Sequence, residues 1–268
     1  MHDVKIFERE RVMHGLTPRS GRVTEVDAVA GFHRFVVEGD DFETMASLSP
    51  TDHFKIVMDE SCGAADVRQK PDGGLDVPAG CVKRDLTPRW LDGSRLVFDI
   101  VEHPEGPLMD WVRAARCGTK ITTIGPRGSK LIPNSPRLLL GSDSSALPAL
   151  ARWLETASAE HIDIVINCPD VDALEYLADL IHGENVQVHD VSTDPGRTVE
   201  LLKTINPTCD TYAWFGGEAT WLIEPRRWLR NESRIDKKNI DMTGYWKRGV
   251  QGHDHHAPID PREEVATA

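Results

Sequence analysis

The hydropathy rhythm of the chain changes once, near Ile132-Pro-Asn-Ser-Pro136, and that change restricts the available folds more than any other feature. Before it, apolar residues come in short β-like runs at residues 23–30, 32–38, 53–58, 95–102 and 120–124. Turn signals at Glu38-Gly-Asp, Asp72-Gly-Gly and Asp92-Gly separate them. About six such strands, with a Gly- and Pro-rich insertion near residues 69–80, predict a small antiparallel barrel. Residues 106–117 are the exception and read as a short helix with Trp111, Val112 and Ala115 on one side. After the change, apolar strands at 137–141, 162–167, 186–190 and 211–215 alternate with helical spacing at 145–156, 171–181 and 197–205. In the first of these helices Leu147, Leu150, Ala151 and Leu154 share a face, and Pro148 falls in the first turn, where a missing N–H costs little. Such alternation marks a parallel sheet flanked by helices. Pro225 is expected to break or kink a further helix that starts near Glu218. The expected organisation is therefore a mobile arm or short flap over 1–15, a β-barrel domain over 16–132, an α/β domain over 133–249 and a solvated, disordered tail over 250–268.

Composition narrows the function classes. At 268 residues, 40% hydrophobic and 28% charged, the chain has the make-up of a globular protein with a sizeable core. No run approaches a membrane span, and the charged start, Met1-His-Asp-Val-Lys, lacks the apolar block of a signal peptide, so a cytoplasmic location is expected. A net charge of −12 weighs against nucleic acid or an anionic membrane as partner. The five cysteines are scattered and include no Cys-x-x-Cys pair, which fits reduced thiols and argues against an iron–sulfur or structural zinc site. No metal site is expected, and a redox role would need a borrowed cofactor. No heptad seam argues for assembly, so a monomer is expected.

Four fragments then stand out: Arg84-Asp-Leu-Thr87-Pro-Arg89, Asp99-Ile-Val-Glu-His103, Gly106-Pro-Leu-Met-Asp-Trp111 and Gly125-Pro-Arg127-Gly-Ser. Two arginines around a threonine offer charge to a pyrophosphate and a hydroxyl to a ring edge. Gly106-Pro107 ahead of a helix would leave backbone N–H groups facing an anion. Each fragment by itself is equally an ordinary surface strand or helix start. A bare Gly141-Ser-Asp-Ser-Ser-Ala-Leu-Pro148 loop would likewise be a helix cap, although it sits where a dinucleotide rests in an open α/β sheet. There is no Gly-x-Gly-x-x-Gly fingerprint.

Taken together, these fragments resemble the siderophore-interacting protein family, flavin-dependent ferric-siderophore reductases related to ferredoxin reductases. The family's order is Arg-x-Tyr-Thr-x-Arg, a strand ending in His, Gly-Pro-Ala-Ser-x-Trp and a Gly-Pro-x-Gly-Ser turn. Ala146-Leu-Pro-Ala149, Tyr212-x-Trp214-Phe-x-Gly-Glu218-Ala and Gly244-Tyr-Trp-x-x-Gly249 continue it, so the likeness runs over roughly residues 16 to 249. The resemblance implies a ferredoxin reductase-like fold, an FAD-binding barrel followed by an NAD(P)H-binding α/β domain. It implies FAD and NADPH or NADH as cofactors, a ferric siderophore as substrate, and a ferredoxin as an alternative donor. For FAD and the nicotinamide it implies Arg84, Leu86, Thr87, Arg89, Asp99, Val101, His103, Gly106, Pro107, Met109, Trp111, Asp143, Ser145, Ala146, Gly217 and Glu218. Lys55, Arg127, Lys247 and Arg248 are the implied landing site for the siderophore. Leu86 replaces the family's Tyr, Met109 its Ser, and Ser142 and Ser144 stand at Gly and Glu positions. No catalytic acid, base or nucleophile is required, because the chemistry is electron transfer through a cofactor. The rival readings are a general flavin or ferredoxin-type reductase with a protein acceptor, and a siderophore- or flavin-binding protein without turnover. His253, His255 and His256 could hold a metal, but a polar tail is the simpler reading.

Overall fold

The computed structural model describes residues 5–58, 61–70, 74–78 and 80–263. The turn expected at Asp72-Gly-Gly falls largely outside them. The chain forms two compact units, residues 10–131 and residues 1–9 with 132–268.

The first unit contains β1 (Arg11–Met13), β2 (Pro18–Val29), β3 (Phe32–Glu38), β4 (Phe54–Val57), β5 (Arg68–Gln69), β6 (Leu75–Asp76), β7 (Lys83–Leu86), β8 (Trp90–Asp92), β9 (Arg95–Val101), helix α1 (Pro107–Ala114), β10 (Lys120–Ile124) and β11 (Gly128–Lys130). Seven of them make one antiparallel sheet in the order β7-β4-β10-β2-β3-β9-β8. If flat, that sheet would hold its edges about 29 Å apart, six gaps of about 4.8 Å. Yet the edge strands β7 and β8 are joined only by Thr87, Pro88 and Arg89, a reach of at most about 14 Å. The sheet therefore curls to bring its edges close: β7 comes into contact with β9, and the Arg89 N–H extends the β8–β9 pairing by donating to the Val97 carbonyl at 2.7 Å.

Alternation along the strands fills the interior. On β9, Leu96, Phe98 and Ile100 point inward and meet Phe35, Phe54, Ile56 and Ile121. Phe35 and Phe98 stack at 5.5 Å between ring centroids. Helix α1 closes one end by sinking Met109, Trp111 and Val112 into this core, the Trp111 ring 4.8 Å from Phe35.

The second unit has β12 (Arg137–Asp143), α2 (Leu147–Thr156), β13 (His161–Asn167), α3 (Ala173–Tyr176), β14 (Val186–Asp190), α4 (Thr198–Ile205), β15 (Thr211–Glu218), α5 (Ala219–Asn231) and β16 (Ile240–Trp246). Its sheet is wholly parallel, ordered β14-β13-β12-β15-β16. Strands β12 and β15 are covered on both faces, hence their unbroken apolar runs. Trp153 of α2 packs on Tyr212 and Trp214 on one side; Leu202 of α4 and Leu222 and Leu229 of α5 join Leu139, Val165 and Phe215 on the other.

Four expectations need correction. Residues 5–9 of the supposed mobile arm are anchored: Phe7 N–H donates to Asn239 Oδ1 at 2.9 Å, and Arg9 pairs with Asp241 while lying over the Trp153 and Tyr212 rings. A guanidinium can bury its flat faces on aromatics and satisfy its edge with one carboxylate. The tail to residue 263 is also packed, with Ile259 in the α5 core and Asp260 held by Arg227. Helix α5 runs on through Pro225 rather than ending there, because tertiary burial of Pro225 and Leu229 outweighs one missing backbone bond. The helix expected over 171–181 shrinks to Ala173–Tyr176 and a following 3-10 turn.

Candidate functional site

In the barrel unit the residues of interest lie where the sheet edges meet. Register sets Leu86 opposite Phe54 and Arg84 opposite Ile56, so both take the inward-leaning face of β7. Leu86 packs against the barrel core, while the half-buried Arg84 donates from Nη1 to the Lys83 carbonyl at 2.7 Å. Thr87 and Arg89 follow, both buried, and the Arg89 guanidinium carbon lies 4.0 Å from the Trp90 ring centroid.

Strand β9 ends nearby, since β7 and β9 are in contact, and delivers Val101 and then His103. The His103 ring Nδ1 lies 2.8 Å from the Glu105 carbonyl. A carbonyl only accepts, so Nδ1 carries the proton and Nε2 is left as an acceptor in the neutral ring. Gly106 then adopts φ +126°, a conformation a side chain would strain, and a Cβ there would stand 3.6 Å from His103. Helix α1 begins at Pro107 with no side-chain cap, so its first N–H groups have no side chain to bond.

Four of the expected side chains in this unit are engaged within the protein. The Asp99 carboxylate is fully enclosed and gripped by Arg34 through two 2.7 Å bonds, because the two residues are cross-strand partners on the outer face. Met109 and Trp111 are 1% and 7% exposed and serve the core, so neither side chain is available to a cofactor. Lys55, expected as a free landing cation, is cross-strand to Asp85 and bonded to both its oxygens at 2.7 and 2.8 Å. Arg127 is exposed.

In the parallel unit the strand order reverses between β12 and β15, and Asp143 stands at that point. It accepts from Ser145 N and Oγ (2.8 and 2.6 Å), Ala146 N (3.2 Å), Glu218 N (2.7 Å) and the Trp246 indole N–H (2.8 Å). Burial pushes its carboxyl above the ordinary value, against the pull of these donors. Gly217, at φ +146°, must lack a side chain: a Cβ there would come within 2.6 Å of the Asp143 carboxyl carbon. Asp143 thus caps the turn into α2 and knots β12, β15 and β16 together.

Asp143, Ser145 and Ala146 were expected to touch the nicotinamide cofactor, but their polar groups are spent on one another, and Ala146 is fully buried. Glu218 is similarly committed: it caps α5 through Trp221 N at 2.7 Å and accepts from Arg248 N at 3.1 Å. At the carboxyl end of β16 Trp246 is 40% exposed, and exposed Lys247 and Arg248 follow it. Trp246 was not among the expected site residues; a tryptophan placed directly before Lys247-Arg248, where no apolar run explains it, is the sequence signal for its exposure.

Comparison with known proteins bears on both units. Residues 22–130 match the siderophore-interacting FAD-binding domain, and residues 135–249 match the siderophore-interacting protein family. The NADPH-dependent ferric-chelate reductase of Escherichia coli (strain K12) is 28% identical over 248 residues, 88% of this chain and 96% of that one. Ferric vibriobactin reductase of Vibrio cholerae is 30% identical over 172 residues, 61% of this chain and 63% of its own. The crystal structure of a siderophore utilization protein from T. fusca superposes with a TM-score of 0.74 at 28% identity, covering 93% of this chain and 100% of that one. A barrel unit followed along the chain by a unit with a five-stranded parallel sheet, with the two matches in chain order over 224 of 268 residues (109 and 115), places the chain in the siderophore-interacting protein family.

Proposed function

We propose that this chain is a flavin-dependent ferric-siderophore reductase that draws electrons from NAD(P)H. The observation that carries the reading is the near end-to-end likeness to an NADPH-dependent ferric-chelate reductase, 96% of whose length is matched. The barrel unit fits FAD on its own terms: a side-chain-free turn at Gly106, an uncapped helix start and a half-buried cation at Arg84 meet a phosphate-bearing group. When bound, FAD accepts the two electrons of a nicotinamide together and gives them singly to Fe(III).

The chain's residues bind and orient. Arg84 and the N–H groups behind Gly106 and Pro107 would hold the phosphates. Leu86 and Val101 would give apolar cover to the ring, the Thr87 hydroxyl would serve its edge, and His103 would offer Nε2 to the polar linker. Arg89 stiffens the Trp90 corner. On the parallel unit Gly217, Trp246, Lys247 and Arg248 would receive the nicotinamide dinucleotide, and on the barrel unit the exposed Arg127 would offer a cation to the siderophore. No residue has to gain or lose a proton. Fe(III) is gripped by hard anionic oxygens, and lowering its charge loosens that grip.

The test is anaerobic. Purified chain given FAD should show flavin absorbance that NADPH or NADH bleaches, and adding a ferric siderophore should restore it while a ferrous chelator colours. Arg84→Ala should weaken FAD binding about 10- to 100-fold, the equivalent of one charge-assisted bond of about 1.5–3 kcal/mol. A chain that takes up no FAD, or one whose reduced form passes electrons to a ferredoxin but not to a siderophore, refutes the proposal. Reduction by ferredoxin instead of NADPH would change the donor alone.

A further inference from the structure

The segment following β16 carries His253-Asp-His-His256, a motif with no part in the scheme above. It is held at both ends. Behind it, Asp260 accepts two bonds from Arg227 at 2.7 and 2.8 Å, Glu263 accepts from Arg226 at 2.8 Å, and Ile259 is 7% exposed in the α5 core. Ahead of it, His253 Nε2 lies 3.3 Å from the point a Cβ on Gly244 would occupy, on the carboxyl half of β16, which ends at Trp246. Between these anchors Asp254, His255 and His256 bring one carboxylate oxygen and two imidazole nitrogens within 4.8 Å of one another. The two rings lie 4.0 Å apart at 43°, and the His256 backbone N–H donates to one oxygen of the exposed Asp254 at 2.9 Å.

Two imidazoles and one carboxylate are the donor set that suits divalent first-row metals, iron(II) among them. Metal–ligand bonds of about 2.0–2.2 Å would set the donors about 3–4.4 Å apart, so side-chain rotations of less than an ångström would close the cluster on an ion. Asp254 and His256 are exposed, which leaves coordination positions for water and an open path. The set also discriminates: Fe(III) prefers the all-oxygen shell of its chelator, whereas Fe(II) accepts nitrogen. We propose that Asp254, His255 and His256 form an acceptor site for the divalent iron that the reductase releases, an inference that rests on the reductase reading. The electron that converts Fe(III) to Fe(II) comes from NAD(P)H by way of FAD. At the cluster only ligands exchange, chelator oxygens leaving as two imidazole nitrogens, one carboxylate oxygen and water take their place.

The experiment is an anaerobic titration of the untagged, FAD-loaded full chain with Fe(II), and in parallel with Co(II), whose visible bands report nitrogen ligation. One ion should bind per chain with coincident calorimetric and absorbance end points. In the double variant His255→Ala/His256→Ala the affinity should fall at least tenfold, with FAD content and bleaching by NADPH unchanged. Absence of one-to-one binding, or an unchanged isotherm in the variant, overturns the site. Because no siderophore is present in the titration, failure to reduce a ferric siderophore would strike the proposed function and be seen separately.

Discussion

The side chain that best shows how residue identity and role can part company is Asp143. Its place at a strand-to-helix turn beside the switch in strand order invited a ligand contact, and the alternative, a helix cap, was equally visible in Gly141-Ser-Asp-Ser-Ser. The cap prevails because a buried carboxylate needs partners, and Ser145, Ala146, Glu218 and Trp246 supply them. The last two come from β15 and β16, whose nearness no local pattern reveals. Replacing Asp143 by Ala leaves several buried donors unmet, and we expect a loss of about 3–5 kcal/mol, the range for breaking a buried polar network. Denaturant unfolding would register it, and a loss below 1 kcal/mol would contradict the role. Lys55 teaches the same lesson from the other direction. Its basic character was legible, but its neutralisation by Asp85 depends on the β4–β7 register. Asp85→Asn should therefore lower KM for an anionic ferric complex several-fold at low salt, with kcat little changed; an unaltered KM would remove Lys55 from the landing site.

Among elements, α1 was placed correctly as a short helix and Trp111 correctly put on its packing side, because the period is local. Met109 is the departure that structure explains. Where relatives of the resemblance carry Ser, this chain extends an apolar side chain into the barrel, 1% exposed and within the Phe35–Phe98–Trp111 cluster. Met109→Ser should cost about 2–5 kcal/mol, as for other large-to-small core changes, and a hydroxyl gained near the helix start should not offset it. The packed tail is the other element the sequence concealed, since its polar composition is that of a solvated end while its anchors, Arg226 and Arg227, lie on α5. The Arg227 hydrogen bonds hold the Asp260 carboxyl down at about 2. That is below an unfolded aspartate's value of about 3.9, so the pair stabilises the fold at neutral pH and its contribution is lost as pH falls from about 4 through about 2. Thermal unfolding of the parent and of Asp260→Asn should thus differ at pH 7 and converge toward pH 2. Parallel curves throughout would detach the tail from the fold's stability.

For the whole molecule, the change of rhythm near Ile132 was enough to separate a barrel from a parallel sheet, because burial on one face and burial on two leave different apolar periods. Strand β16 escaped notice for the same reason: at the sheet edge, Ile240-Asp-Met-Thr-Gly-Tyr-Trp246 alternates buried with half-buried residues and shows no apolar run. Total charge also acts at this scale. The chain carries −12, and among its candidate landing cations Lys55 is already paired while Arg127, Lys247 and Arg248 are exposed, so an approaching anionic ferric complex meets a field that is repulsive overall. Salt screens that field over a Debye length of about 10 Å at 0.1 M. We therefore expect kcat/KM for a ferric complex of charge −3 to rise several-fold between 10 and 200 mM salt (concentrations chosen to span roughly that screening range), while that for a neutral ferric tris-hydroxamate stays level. Stopped-flow reoxidation of the reduced protein by each complex measures this directly. A fall with salt for the anionic complex would mean that the three exposed cations outweigh the whole, and the chain's overall acidity would then have no bearing on substrate choice.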